Sequence, residues 1–255
     1  GNTATATQLV TITDDEAPSI TAPADVEVSA GEGVCEATAV DLGLPETSDN
    51  CELGEDPLSN DAPESFPVGT TIVTWTLTDA AGNTATATQT VTVTDEEMPT
   101  VTAAENVEQG TDEGSCTAEV VITDADFDDN CSGSSIEYEL SGATTGGGGS
   151  GQVGTSIFNI GVTTITYTVT DAAGNTATAS MTVTITDDEA PAITTPADVI
   201  VSNDAGACTA TLTVVNLAFT DNCTGSELSY ELSGATEGAG SGQLGTASFN
   251  VGVTT

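Results

Sequence analysis

Acidic residues gather in three short knots along this 255-residue sequence, at a spacing that could hold a metal ion. Asp14, Asp15 and Glu16 precede Pro18; Asp95, Glu96 and Glu97 precede Pro99; Asp187, Asp188 and Glu189 precede Pro191. Two carboxylates 4 Å apart cost about 1 kcal/mol even at the dielectric constant of water, and more near a protein surface. The chain has no Lys, Arg or His to set against 40 Asp plus Glu, for a formal net charge of −40 at pH 7. Relief must therefore come from outside. Calcium takes six to eight hard oxygen ligands, which adjacent carboxylates can supply together with loop carbonyls. The knots are expected to bind calcium and to stiffen the joints they occupy; the alternative is a solvated acidic linker.

Two further segments could contribute oxygens. The Asp-Ala-Ala-Gly-Asn stretches bring Asp79 and Asn83, and Asp171 and Asn175, provided they fold to the same end of a domain. Asp and Asn around Gly82 or Gly174 are also what a tight hairpin turn needs for its positive φ. The Asp-Asn-Cys stretches, with Asp49, Asp128, Asp129 and Asp221, form a second and separate candidate cluster. Asn130-Cys-Ser and Asn222-Cys-Thr fit the N-glycosylation pattern, although a half-cystine in the middle argues against its use.

The same composition excludes several functions. Phosphate backbones and anionic membranes attract proteins through cationic side chains, so neither nucleic acid nor a lipid surface is an expected partner. No apolar run reaches the roughly 18 residues of a membrane span. Enzymatic activity is not expected, because general bases poised near neutrality are absent. Paired carboxylates can hydrolyse glycosides, but an active site is ordinarily built once and not stamped into each unit.

The elements that must position these residues repeat along the chain. The knots begin 81 and then 92 residues apart, and Cys35, Cys116 and Cys208 keep the same two spacings. Repeats are expected over residues 14–94, 95–186 and 187–255, the last breaking off before its final two strands, with residues 1–13 as the closing strand of a preceding repeat. The chain thus reads as a window on a longer array. Within each repeat, Thr alternates with apolar residues at period two: Val73, Trp75 and Leu77 face one way, as do Ala85, Ala87, Gln89, Val91 and Val93. Pro18 and Pro23 suit edge strands. Many short strands between turn signals, with no helical periodicity, predict an all-β fold of tandem immunoglobulin-like β-sandwich domains arranged end to end. Repeats two and three carry an insertion with a Gly-rich tip, expected as a strand, a flexible tip and a return.

Six cysteines fall as Cys35 with Cys51, Cys116 with Cys131, and Cys208 with Cys223, 15 or 16 residues apart. One such pair per repeat, without His or CxxC spacing, predicts an intra-repeat disulfide formed in an oxidising compartment. Each bridge would contribute about 3 kcal/mol to a domain with a small core.

FPVGTTIVTWTLTDAAGNTATATQTVTVTDEEMP, with a downstream Asp-Asn-Cys, resembles the hyalin repeat, an immunoglobulin-like module of extracellular and adhesive proteins, in its bacterial surface-protein forms. Many members of that family place a cysteine just after the Gly-Asn turn, where this chain has Ala87 and Ala179, so the pairing expected here rests on its own spacing. The acidic knots also resemble the linkers of cadherin-type repeats. The resemblance implies an extracellular or cell-surface location and a structural stalk segment of a long adhesin-like protein. Neighbouring repeats of the chain are then the first partners, with a cell-surface or glycan receptor bound by regions beyond this window. Rival readings are a self-assembling filament subunit, a glycan- or ligand-binding module built on the Gly-rich insertions, and the spacer of a secreted enzyme.

Overall fold

The computed structural model describes all 255 residues, and every regular element in it is a β-strand. The chain divides into two compact units. One comprises Gly1–Val101 with Phe127–Ile136 and Thr168–Thr178; the other comprises Thr102–Asp126, Glu137–Tyr167 and Ala179–Thr255.

The first unit is built on a sandwich of eight strands: β1 Ser19–Thr21, β2 Val26–Ser29, β3 Glu36–Thr38, β4 Glu46–Ser48, β5 Leu53–Asn60, β6 Ser65–Pro67, β7 Gly69–Asp79 and β8 Thr84–Thr94. One sheet has the order β2-β8-β7-β5, and the ribbons β1-β4 and β3-β6 complete the sandwich. Period-two alternation decides which side of the β7–β8 hairpin is buried. Val73, Trp75, Val91 and Val93 pack with Ala37 and Phe66, while the intervening Thr residues stay at the surface or half-buried. Strand β2 runs parallel to β8, with Val26 opposite Val91 and Val28 opposite Val93. Gln89 is a buried polar residue in this core with its hydrogen bonds made. Its amide donates to the carbonyls of Ala24 at 2.7 Å and Leu42 at 3.0 Å, and its oxygen accepts from Trp75 Nε1 at 3.1 Å.

The second repeat has the same plan, with β9 Thr100–Thr102, β10 Val107–Gly110, β11 Thr117–Val121, β12 Asp126–Asp128, β13 Ser135–Gly142, β14 Gly148–Ser150, β15 Thr155–Asn159, β16 Gly161–Thr170 and β17 Thr176–Thr186. Its larger sheet has the order β10-β17-β16-β13-β14, and the ribbons are β11-β15 and β12-β9. Phe158, Ile165, Tyr167, Val169 and Val183 are fully buried. Here Tyr167 stands where the first repeat has Trp75, and Met181 where it has Gln89. The Tyr167 hydroxyl is buried without a hydrogen-bond partner.

The Gly-rich insertions form a strand and a return, as expected: β13 pairs with β14 and, in the third repeat, β21 Ser229–Leu232 pairs with β22 Gly238–Ser241. Tyr138 lies opposite Gly149 and Tyr230 opposite Gly240. The other third-repeat strands, β18 Ala192–Ile193, β19 Thr209–Thr213, β20 Phe219–Thr220 and β23 Thr246–Asn250, form two ribbons, β18-β20 and β19-β23. Residues 187–255 supply no counterpart of the β7–β8 hairpin, and only Ala210 and Cys223 are buried apolar residues there. Ile200 and Val201, which correspond to β2, are accordingly exposed and unpaired. Residues 1–13 likewise form no strand, despite their alternation, and Leu9, Val10 and Ile12 are exposed. An extended segment becomes a strand only when a ladder partner takes up its backbone groups, and no strand of this chain pairs with it.

The cysteine pairing corrects the expectation. Cys35 bonds Cys131 and Cys116 bonds Cys223, each with 5.0 Å between Cα atoms, across 96 and 107 residues of sequence. Cys51 and Cys208 are unpaired and exposed. Strand length is the reason. The Cys51 loop lies at the turn that follows β7, where Ala80 N–H donates to the Glu52 carbonyl at 3.0 Å. The Cys35 loop lies at the far end of the 11-residue β8, where Ala30 N–H donates to the Thr94 carbonyl at 2.8 Å. These ends are roughly 30 Å apart, whereas a disulfide needs Cα atoms about 4.4–6.8 Å apart.

Two measurements check this packing. Proteolysis at acidic residues followed by non-reducing mass spectrometry should recover the Cys35–Cys131 and Cys116–Cys223 peptides and no Cys35–Cys51 peptide. Gln89→Leu, which strands an indole N–H and two carbonyls, should cost about 3 kcal/mol in chemical denaturation. Tyr167→Phe, which removes an unpartnered hydroxyl, should stay within about 1 kcal/mol of the parent or exceed it.

Candidate metal centre

Within the first unit, three separate segments bring one aspartate each to a common point. The first is the turn between β16 and β17. Asp171 N–H donates to the Asn175 carbonyl at 3.0 Å, and Gly174 takes the φ of +98° that such a turn requires. Asp171 Oδ1 accepts from Gly174 N–H at 2.6 Å and Asn175 N–H at 2.7 Å, and its Oδ2 accepts from Asn175 Nδ2 at 2.8 Å. Burial pushes this carboxyl up, but the hydrogen bonds from Asn175 and from the Gly174 and Ala173 N–H groups outweigh it and hold the group below the usual carboxylate range. Asp79 is held in the same way by Gly82 and Asn83 and is likewise lowered.

The second segment is the acidic knot. Asn175 Nδ2 lies 3.1 Å from the Asp95 carbonyl and 3.0 Å from that of Glu97, which ties the turn to the knot. The third is the Asp-Asn-Cys loop. Asp129 Oδ2 accepts from Cys131 N–H at 3.1 Å, and Asn130 Nδ2 reaches the Val34 carbonyl at 3.2 Å and Asp95 Oδ1 at 3.4 Å. The Cys35–Cys131 bond anchors that loop.

Asp95, Asp129 and Asp171 thereby present carboxylate oxygens all within 4.8 Å of one another. Asp95 is 7% exposed and Asp171 6%. Asp95 Oδ2, Asp129 Oδ1 and Asn130 Oδ1 are buried with no hydrogen-bond partner. Burial raises the Asp129 carboxyl above its ordinary value; the Cys131 N–H opposes that rise, and the charges of Asp95, Asp171 and Glu97 reinforce it. A second set, Asp14, Asp49 and Asp79, has the same composition and the same 4.8 Å limit. There Asn83 Nδ2 donates to the Asp14 carbonyl at 3.3 Å, and Asp49 Oδ1 is unpartnered. The nearby Cys51 thiol is held above its usual value, first by its hydrogen bond with Asp14 and then by burial and the charges around it.

Of the residues expected as ligands, Asp14, Asp79, Asp95 and Asp171 converge, and Asn83 and Asn175 orient them. Asp15, Glu16, Glu96, Glu97, Asp187, Asp188 and Glu189 are exposed and lie outside the triads. Several have another task. Glu97 Oε2 accepts from Gly33 N–H at 2.8 Å and Glu96 Oε2 from Ser29 Oγ at 2.9 Å, while Glu189 Oε2 accepts from Gly114 N–H at 2.8 Å. The first residue of the first two knots, Asp14 or Asp95, joins a triad, and the third residue of the last two, Glu97 or Glu189, clamps the loop ahead of Cys35 or Cys116. Asp49 and Asp129, expected in a separate cluster, belong with the knots; their recurrence in step with the knots was the available signal. Asp128 is exposed and not in a triad. In the third repeat, Asp221 Oδ1 and Asn222 Oδ1 are buried without partners, and the Ser226 hydroxyl donates to Asp221 Oδ2.

This donor set fits calcium. Three hard carboxylates, a spare amide oxygen and open lone pairs meet its demand for oxygen ligands. The donors of the Asp95 triad are all oxygens, and the chain has no cationic side chain that could take a metal's place.

The HYR domain family matches residues 13–93 and 94–185, more than half of the chain. Hyalin of Strongylocentrotus purpuratus is 35% identical over 117 residues, which is 45% of this chain and 9% of that protein, so the chain spans about a tenth of its curated relative. Among solved structures, human mucin-like protocadherin EC1-2 matches with a TM-score of 0.34 at 10% identity, covering 67% of this chain and 98% of its own. Drosophila N-cadherin EC1-3 gives 0.30 at 11%, covering 68% of each chain. The Clostridium thermocellum CbhA fibronectin(III)-like modules give 0.28 at 13%, covering 67% and 94%.

The opposed shifts give a test. Lowered Asp79 and Asp171 contribute stability above the unfolded carboxylate range that disappears as pH falls through their folded values; raised Asp129 opposes folding whenever it is ionised. Asp129→Asn should therefore raise the melting temperature in chelator by about 4 °C, from the repulsion it removes. Asp171→Asn should lower it. Differential scanning calorimetry at pH 7 distinguishes the two.

Proposed function

The chain belongs to the HYR domain family, and from that membership we propose that it is a stalk segment of a long extracellular or cell-surface adhesion-type protein, stiffened by calcium at its repeat junctions. Two buried aspartates, Asp95 and Asp171, meeting a half-buried third, Asp129, in a chain without any Lys, Arg or His carry this reading. Such a cluster is self-repelling unless a cation fills it. Asp95, Asp129 and Asp171 would bind the ion directly, with Asn130 Oδ1 as a further oxygen. Asn175 and the Cys131 N–H keep the carboxylates aimed, and the calcium supplies the positive charge. Asp14, Asp49 and Asp79 would form the equivalent site one repeat earlier.

Mechanically, the ion joins a knot, a loop and a turn that are distant in sequence. Loosening any one of them then requires loosening all three. The repeats of this stalk are 14–94, 95–186 and 187–255, and neighbouring repeats are one another's first partners. The tyrosines of the Gly-rich hairpins do not favour a glycan platform. Both are half-buried, and a Cβ added at Gly240 would meet the Tyr230 ring at 2.6–2.9 Å, so the ring lies over its cross-strand glycine. The repetition of the acidic sites likewise supports a structural reading over a catalytic one.

Calcium at about 100 times its dissociation constant should add roughly 2.7 kcal/mol, which for domains of this size raises the melting temperature by about 10 °C or more. EDTA should reverse the gain. The double variant Asp95→Asn/Asp171→Asn should lose about half of the response, the Asp14 site remaining, while keeping the β-sheet circular dichroism of the parent. A melting temperature indifferent to calcium would overturn the proposal.

A further inference from the structure

The Cys35–Cys131 disulfide and the triad of Asp95, Asp129 and Asp171 lie within the first unit and meet in three consecutive residues, Asp129, Asn130 and Cys131. Cys131 supplies one sulfur of the bond, and its N–H holds Asp129 Oδ2 at 3.1 Å. Asn130 Nδ2 lies 3.2 Å from the carbonyl of Val34, the neighbour of Cys35, and 3.4 Å from Asp95 Oδ1. The Cys35 side is tied to the knot as well. Gly33 N–H donates to Glu97 Oε2 at 2.8 Å, and Glu97 N–H donates to Asp95 Oδ1 at 3.1 Å.

These ties differ in strength. The contacts of Asn130 with Val34 and of Gly33 with Glu97 are single hydrogen bonds at exposed positions, each a modest contributor. The S–S bond joins residues 96 apart in sequence and cannot loosen without chemistry. It therefore keeps Asp129 beside Asp95 and Asp171 even when nothing offsets their charge. Burial, reinforced by the charges of Asp95, Asp171 and Glu97, raises the Asp129 carboxyl, as expected of a carboxylate held against its neighbours. Reduction releases the Asp129 loop from the Cys35 loop and lets the carboxylates separate. A cation among them draws the same loops together and keeps the two sulfurs within reach.

We propose that the Cys35–Cys131 disulfide and calcium at Asp95, Asp129 and Asp171 are thermodynamically linked, so that the intact bond raises calcium affinity and bound calcium protects the bond from reduction. Linkage is reciprocal, and one factor describes both effects. The inference rests on the calcium reading above and adds redox control of that site. The reductant is a small-molecule thiol. Cys35 is half-buried and Cys131 is 7% exposed, so the thiolate attacks the Cys35 sulfur, the S–S bond breaks and Cys131 leaves as a thiolate. A second thiolate attacks the mixed disulfide and frees Cys35. Two small-molecule thiols are oxidised to one disulfide, and the two cysteines take up the two electrons and two protons.

The test equilibrates the 255-residue chain across a series of reduced-to-oxidised dithiothreitol ratios, in saturating calcium or in EGTA at matched ionic strength. Alkylation and mass-spectrometric mapping then give the ratio at which half of the Cys35–Cys131 bond is open. Calcium should move that midpoint about fivefold or more towards reduced dithiothreitol, within the usual range of coupling between sites. In Asp95→Asn/Asp171→Asn the shift should vanish. Calorimetric titration with calcium supplies the reciprocal arm. Cys35→Ala/Cys131→Ala should weaken this site by the same factor and leave the Asp14 site at its parent affinity; should that variant not fold, the redox titration of the parent decides. Calcium uptake with an unmoved midpoint, or an equal shift in Asp95→Asn/Asp171→Asn, overturns the linkage alone. No calcium uptake by the parent overturns the calcium reading and the linkage with it.

Discussion

Unbalanced negative charge is the constraint on which the rest of this structure depends. With no cationic side chain in the sequence, each carboxylate must be solvated, hydrogen-bonded by the backbone or left repelling its neighbours. The fold uses the first two solutions nearly everywhere. Asp79 and Asp171 are stabilised by turn N–H groups, and Glu96, Glu97 and Glu189 by hydroxyl or backbone donors of adjoining loops. The third situation arises where Asp95, Asp129 and Asp171 meet, and there burial and like charge act together to raise Asp129.

The disulfide and the acidic triad form one joint. Cys131 carries the sulfur that bonds Cys35 and also the N–H that holds Asp129, while Asn130 between them reaches the Val34 carbonyl. The knot serves both sides, since Asp95 faces the triad and Glu97 clamps Gly33 in the loop that leads to Cys35. A covalent bond and an acidic triad therefore share one set of loops. Moving either would disturb the other, because the same backbone supports both.

Much of the sandwich was legible in the sequence because its signals are local. Alternation along β7 and β8 predicted the burial of Val73, Trp75, Leu77, Val91 and Val93, and the Gly-rich insertions were legible as strand and return. Residues 1–13 carry the same alternation, and no strand of this chain pairs with them. Within the joint, the Asp79 and Asp171 turns were recognisable from Asp, Gly and Asn at fixed offsets. The role of Asp129 was only half visible: its recurrence showed, but its company did not. Tyr167, buried with an unpartnered hydroxyl in place of the Trp75–Gln89 pair, left no trace in the pattern at all.

By itself the sequence determined the all-β class, the repeat periods, the excess of acid and the presence of a cysteine at two fixed places per repeat, because composition and short-range periodicity encode each of these. Tertiary structure alone decided which cysteine bonds which and which aspartates converge. Cys35 and Cys51 are 16 residues apart yet sit at opposite ends of an 11-residue strand. Cys35 and Cys131 are 96 residues apart and meet, with 5.0 Å between their Cα atoms. Sequence distance measures the path of the chain, whereas bonds and ion sites respond to where strands of a given length deliver their ends.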